Sequence, residues 1–417
     1  MATDNPYLGG SHSSGSMTIT RPKRISRFGR FVTVVSVLIF IIVSLMCYYY
    51  INPVDYGGMG SLGMVSMLTP PALFMIGVVS LMMVFWSFEK RWRVALIAFS
   101  GNVILSLFLS LSPSFALWRW AGDRNISLNL VEALMPQFNK EGLFNKEGLA
   151  RTTTLVYDTL DDGTKLLLDA WPADMKKKRT PRPAIIKVHD VAFVGSSRRS
   201  LTMWNSWFNK LGYHVFDVDY RMHPPKRWLD QTGDIKCALS WVKAHAAEYN
   251  VDTTRLILMG YSAGANLAML AAYSYKDQEL KPTCGEQVNV KCVINLYGPS
   301  DMKALYASTG SSSFVQPRMR QYIGGSPDEF DERYDLLSPL NHINENSPPT
   351  ILIYGEKDRI VPFDEGIATD NALKEANVPH ELYILPETDH AFDANWTYFS
   401  TQIARERILR FLHKYAE

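Results

Sequence analysis

Three stretches near the amino end carry no Asp, Glu, Lys or Arg: residues 31–54, 56–88 and 94–118. A bilayer core of about 30 Å takes roughly 20 mainly apolar residues as a helix. Each stretch therefore holds one predicted crossing, over 31–52, 68–88 and 94–116. Pro70-Pro71 sets the start of the second helix and leaves the Gly-rich sequence before it as loop. The third stretch holds Ser100, Gly101, Asn102 and Pro113, and its apolar signal is the weakest. Past residue 150 the pattern changes to short apolar runs alternating with amphipathic ones. Runs at 184–189, 213–220, 256–261, 292–298, 350–355 and 381–386 predict buried strands, preceded by a hairpin over 153–157 and 165–171. Helices are predicted over 200–211, 231–249, 263–275, 363–376 and 396–415. That order predicts an α/β fold, a mostly parallel sheet with helices on both faces. Residues 301–345 interrupt it with Met, Tyr, Phe and Arg between polar stretches, an excursion from the alternation that reads as packing filler.

The expected organisation is a disordered basic tail (1–30), a membrane region (31–121), a connector (122–150) and one folded domain (151–417). Arg21, Lys23, Arg24, Arg27 and Arg30 precede the first span, and Lys90, Arg91 and Arg93 separate the second from the third. The loop between the first two carries only Asp55. Basic residues stay on the cytoplasmic side, so the amino terminus is expected there and the folded domain, three crossings later, on the exoplasmic side. A re-entrant third stretch would reverse the domain's side. With no ionisable residue inside the spans, they read as an anchor and not as a transport path.

Charge and cysteines add little. A net charge of +2 over 417 residues gives no reason to expect nucleic acid. Cys47 falls in the first span and Cys237 in a predicted helix, while Cys284 and Cys292 bracket a short polar loop. The last two are candidates for a disulfide in an oxidising compartment, with free thiols the alternative. Their spacing, with no histidine nearby, does not suggest zinc.

Candidate chemistry starts at Gly260-Tyr261-Ser262-Ala263-Gly264, between the apolar run 256–259 and Ala-rich helical sequence. A strand, a cramped turn and a helix in that order push one serine hydroxyl out of the backbone, the geometry of a nucleophile elbow. A serine hydroxyl is a poor nucleophile at neutral pH. It needs an imidazole to take its proton and a carboxylate to hold that imidazole. Asp358 follows the strand-like run 350–355, and His390 follows the run 381–386. The order Ser, Asp, His is the one this kind of sheet uses. Glu356, Asp389 and Asp393 are rival acids within a few residues. The expected trio is Ser262, Asp358 and His390.

With these residues, the region 150–417 resembles the α/β-hydrolases, closest to the hormone-sensitive-lipase-like and acetyl-esterase-like carboxylesterases. The resemblance rests on His189 after the run 184–188, on Asp219-Tyr220-Arg221, on the Gly-Tyr-Ser-Ala-Gly elbow, on Tyr297-Gly298-Pro299, and on His390-Ala391-Phe392-Asp393. It implies a serine ester hydrolase without metal or organic cofactor, acting on a small-molecule or lipid-like ester. By position it assigns the backbone oxyanion donors to Val191, Ala192 and Ala263. The family's His-Gly-Gly turn reads His189-Asp190-Val191 here, so both central glycines are replaced. Losing one oxyanion donor costs about 2.7–4 kcal/mol of transition-state stabilisation. Asp219 and Arg221 are expected to form a scaffolding charge pair at a strand end. The alternatives to ester hydrolysis are a catalytically weak or inactive binding ectodomain, and acyl transfer to an alcohol.

Overall fold

The computed structural model describes residues 26–52, 70–135, 152–173, 180–190, 197–222, 228–275, 277–308 and 313–416. Three long helices come first: α1 (Arg27–Ile51), α2 (Pro70–Glu89) and α3 (Arg93–Gly122). All three are long and apolar enough to cross a membrane. The Ser26 hydroxyl caps α1 by accepting from Gly29 N–H at 3.0 Å. Pro70 and Pro71 occupy the first turn of α2, where a missing N–H costs nothing. Val43, Met46, Cys47 and Tyr50 of α1 pack with Leu73 and Leu109, joining the three helices into one bundle. Pro113 lies inside α3 without ending it. The helix outlasts the expected 94–116 because Leu117 and Ala121, in its last turns, are buried in the core of the following domain instead of facing outward.

A one-turn helix α4 (Leu130–Ala133) precedes the sheet. The strands are β1 (Thr153–Thr159), β2 (Lys165–Trp171), β3 (Arg182–Val188), β4 (His214–Val218), β5 (Val251–Tyr261), β6 (Cys292–Leu296), β7 (Thr350–Gly355) and β8 (His380–Leu385). They form one sheet in the order β1-β2-β4-β3-β5-β6-β7-β8. β2 runs antiparallel to β1 and β4, and every later neighbour pair is parallel. Strands β4, β6 and β7 are buried at every position, as a sheet covered on both faces requires.

The interleaved helices are α5 (Thr202–Leu211), α6 (Asp230–Ala244), α7 (Ala246–Tyr249), α8 (Ala263–Tyr273), α9 (Met302–Ala307), α10 (Val315–Ile323), α11 (Asp331–Leu336), α12 (Asp364–Glu375) and α13 (Phe399–Tyr415). The helix expected over 231–249 divides at His245 into α6 and α7, its ring stacked on Trp241 with centroids 4.0 Å apart. The excursion at 301–345 folds as α9, α10, α11 and a short 3-10 turn.

Two expectations are corrected. The disulfide joins Cys237 to Cys284, with Cα atoms 4.9 Å apart, and not Cys284 to Cys292. The loop carrying Cys284 folds back on α6, where Thr283 N–H donates to Gly233 O at 3.2 Å, whereas Cys292 opens a buried central strand. Asp219 and Arg221 do not pair with each other. Asp219 accepts from Arg198 N–H at 2.8 Å and pairs with its guanidinium, while Arg221 forks onto Asp234. Asp219 meets the segment carrying Arg198 and Arg221 meets the first turns of α6, so each finds its own counter-charge.

Candidate active site

Ser262 sits between the end of β5 and the start of α8 at φ 53°, ψ −128°, a backbone conformation that costs a side-chain-bearing residue of order 1–3 kcal/mol. The flanking glycines make the turn feasible. A Cβ on Gly260 would lie 2.2 Å from Gly264 O, and one on Gly264 would lie 2.3 Å from His189 O. The turn is fastened by Ser262 N–H donating to Leu296 O at 3.0 Å on the neighbouring strand β6.

Asp358 and His390 arrive from the carboxyl ends of β7 and β8. His390 Nε2 lies 2.9 Å from Ser262 Oγ, and His390 Nδ1 lies 2.8 Å from Asp358 Oδ2. A carboxylate only accepts, so Nδ1 carries the proton to Asp358 and leaves Nε2 as the acceptor for the serine hydroxyl. Asp358 Oδ1 accepts from Ile360 N–H at 2.9 Å and Val361 N–H at 2.8 Å. Those two bonds fix the carboxylate so that its other oxygen faces the imidazole. Burial pushes His390 down, but the bonded Asp358 carboxylate, with Asp389 and Asp190 nearby, more than offsets it and raises the imidazole above its ordinary value.

The rival acids are occupied elsewhere. Asp389 is gripped by the Arg359 guanidinium, whose Nε lies 2.9 Å away, and it also accepts His390 N–H at 2.7 Å. Asp393 accepts from Trp204 Nε1 at 2.7 Å and from the Tyr297 hydroxyl at 2.5 Å. Glu356 accepts Glu387 N–H at 3.2 Å in an exposed position. Two of these arrangements add contacts that the sequence did not predict: the Arg359–Asp389 clamp, which ties the loops after β7 and β8 together, and the edge-on approach of the Tyr297 ring to the imidazole at 4.7 Å. Tyr297 adopts φ 43°. No sequence signal marks these contacts, since each depends on which loops meet.

Of the expected oxyanion donors, Ala263 is buried directly after Ser262 and opens α8. At the first helical position its N–H has no carbonyl to bond within the helix. Val191 and Ala192 lie outside the described residues. Asp190, just before them, is raised to about 6, chiefly by burial. Among the described residues, one group has metal-ligand proximity: Asp158, Cys237 and Cys284. Its two sulfurs are spent in the disulfide.

A BD-FAE family model matches residues 171–373. Among curated proteins, the chain is 28% identical over 230 residues to the probable carboxylic ester hydrolase LipM of Mycobacterium tuberculosis, covering 54% of this chain and 53% of that one. It is 27% identical over 239 residues to esterase LipC of the same organism, covering 56% and 58%. The chain thus spans little more than half the length of these relatives. Among solved structures, a thermophilic esterase from Thermogutta terrifontis matches with a TM-score of 0.53 at 23% identity, over 63% of this chain and 92% of that one. The same esterase phosphorylated by paraoxon matches with a TM-score of 0.53 at 23% identity, over 63% and 94%.

Proposed function

The chain has the α/β-hydrolase fold, and from that premise we propose that it is a membrane-anchored serine carboxylesterase. The observation that carries the reading is the unbroken chain from Ser262 Oγ through His390 to Asp358, at 2.9 and 2.8 Å. Nε2 takes the hydroxyl proton as Oγ attacks the ester carbonyl. Asp358 accepts Nδ1–H throughout and steadies the imidazolium that forms. Ala263 N–H, with Val191 and Ala192 by position, holds the developing oxyanion. Nε2–H then protonates the leaving alcohol, and water, activated by the same imidazole, releases the acid from the acyl-serine. The esterase relatives support ester chemistry, and the substrate class is a small-molecule or lipid-like ester.

In this reading residues 151–417 are the hydrolase domain, 122–150 a connector, 31–121 the membrane anchor and 1–30 a cytoplasmic tail. The exoplasmic placement of the hydrolase is supported by the basic residues flanking the spans and by the Cys237–Cys284 disulfide, which suits an oxidising compartment. Peptide mapping of non-reduced protein from intact cells is expected to recover the two cysteines cross-linked. Recovery of both as free thiols in a membrane-inserted chain would argue for the cytoplasmic side.

The central test is labelling of the full chain in detergent by a fluorophosphonate. The wild type is expected to label and Ser262→Ala to remain unlabelled. A folded wild type that takes no label, or a Ser262→Ala variant that still does, overturns the assignment.

A further inference from the structure

We propose that the catalytic edge of the sheet faces the bilayer, so that the substrate is an ester of an amphiphile embedded in the same membrane. This rests on the serine-esterase reading above and adds the route by which substrate arrives.

The contacts between helix bundle and sheet carry the inference. Tyr50, in the last turn of α1, donates its hydroxyl to Glu387 and places its ring under Lys357 Nζ at 4.5 Å. Lys357 and Glu387 are themselves ion-paired at 2.5 Å. Lys357 directly precedes Asp358, and Glu387 stands three residues before His390. The end of the first apolar helix thus touches both loops that deliver the acid and the base.

Helix α3 gives the direction. Ser114 Oγ lies 3.0 Å from the hydroxyl of Tyr398, which caps α13 at the carboxyl edge of the sheet. Six residues further from the bundle, Trp120 meets Tyr383, inside β8 and back from its carboxyl end, with centroids 6.2 Å apart. At 1.5 Å per residue the two contacts are about 9 Å apart along the helix. Leaving the apolar bundle along α3 therefore means moving away from the catalytic edge. That edge is the membrane-proximal one.

The chain then turns back. Arg124 O accepts from Arg407, Asn129 N–H donates to Gln402 at 2.7 Å, and Met135 O accepts from Thr397 at 3.0 Å. Residues 124–135 thus descend α13 towards its amino end, again to the catalytic edge. There α4 and its flank expose Leu130 (61%), Val131 (71%), Leu134 (50%) and Met135 (68%). An apolar patch of this kind, at the same edge of the sheet that Tyr50 and Ser114 meet, suits the headgroup and acyl boundary of a bilayer. It flanks the loop that carries His390.

The test uses the full chain reconstituted in diether phosphatidylcholine vesicles, which resist hydrolysis. Methylumbelliferyl oleate is supplied either in the enzyme's own vesicles or in separate ones, with soluble methylumbelliferyl acetate as control. Oleate cleavage is expected to be at least roughly tenfold faster when enzyme and ester share a bilayer, with acetate cleaved equally in both preparations. Equal oleate rates, or acetate cleavage with no oleate cleavage in either arrangement, overturns the proposal. Cleavage of neither ester, together with no fluorophosphonate labelling, instead sinks the serine-esterase reading on which it rests.

Discussion

Asp358, in the loop after β7, and Asp190, in the turn after β3, both act electrostatically on His390, yet their surroundings differ. Asp358 receives two backbone N–H groups on one oxygen and the imidazole on the other. Asp190 is raised to about 6 by burial, with Asp393 adding to the rise and the His390 charge only partly opposing it. The difference teaches that closeness to the base does not make a carboxylate its partner. The partner is the one whose charge is satisfied on the far side, so that it can stay ionised while holding a proton donor on the near side.

The strongest way to break this comparison is to neutralise each acid in turn. Asp358→Asn is expected to lower kcat by about 10⁴-fold, because an amide can hold the imidazole in the wrong tautomer. Asp190→Asn is expected to leave kcat at pH 8 unchanged or higher. Steady-state kinetics on a p-nitrophenyl ester reads both. Comparable losses would place the two carboxylates on the same footing.

The turn after β3 and the elbow also press directly on one another. A Cβ at position 264 would lie 2.3 Å from His189 O and 2.4 Å from Val188 O, both rigid backbone atoms. Gly264→Ala is therefore expected to cost more than about 3 kcal/mol, the range of severe overpacking, read as a lowered denaturation midpoint. A near-neutral Gly264→Ala would mean that the turn after β3 yields easily. Its replaced glycines would then matter less than the fixed elbow suggests.

How much was legible follows from how local each signal is. The element order could be read because each strand of the parallel sheet is a short apolar run. Ser262 could be singled out because strand, glycines and helix sit within ten residues. Asp358 and His390 could be chosen because each follows such a strand, though only the structure shows why Asp389 and Asp393 are otherwise engaged. The Cys284 pairing was misread because α6 lies 47 residues back from it, and sequence spacing says nothing of a loop folding back that far. The partners of Asp219 and Arg221 were missed for the same reason. The junction of Tyr50 with Glu387 joins residues 337 apart and has no sequence signature at all.

Stability against pH sharpens the contrast further. Asp190 has a folded-state value of about 6 against 3.8 for the ordinary group. A raised folded value means the native state holds the proton more tightly. That contribution is complete below the unfolded value and is lost as pH climbs through about 6. The upper bound on the loss is roughly 3 kcal/mol, from a shift of about two units. Asp190→Asn, which carries no charge to desolvate, is expected to gain on the wild type between pH 4 and pH 7, read as a widening gap in Tm. A gap that stays constant with pH would show that the carboxylate reaches water in the folded state.

The smallest effect is on the base itself. In the proposed mechanism His390 must be neutral at Nε2 to accept the serine proton, so kcat/KM is expected to fall as pH drops through its value, which is raised. Asp358 and Asp389 account for more of that rise than Asp190, the last of the three contributors. Once Asp190 is ionised, its charge favours the imidazolium. Removing that charge with Asp190→Asn lets the imidazole lose its proton at a lower pH. The acid limb of the kcat/KM profile is therefore expected to move to lower pH by less than about one unit, while the same limb in Asp358→Asn shifts further. A limb that stays in place in Asp190→Asn would mean that solvent screens the Asp190 charge from the imidazole, and the contrast between the two carboxylates would then be one of geometry alone.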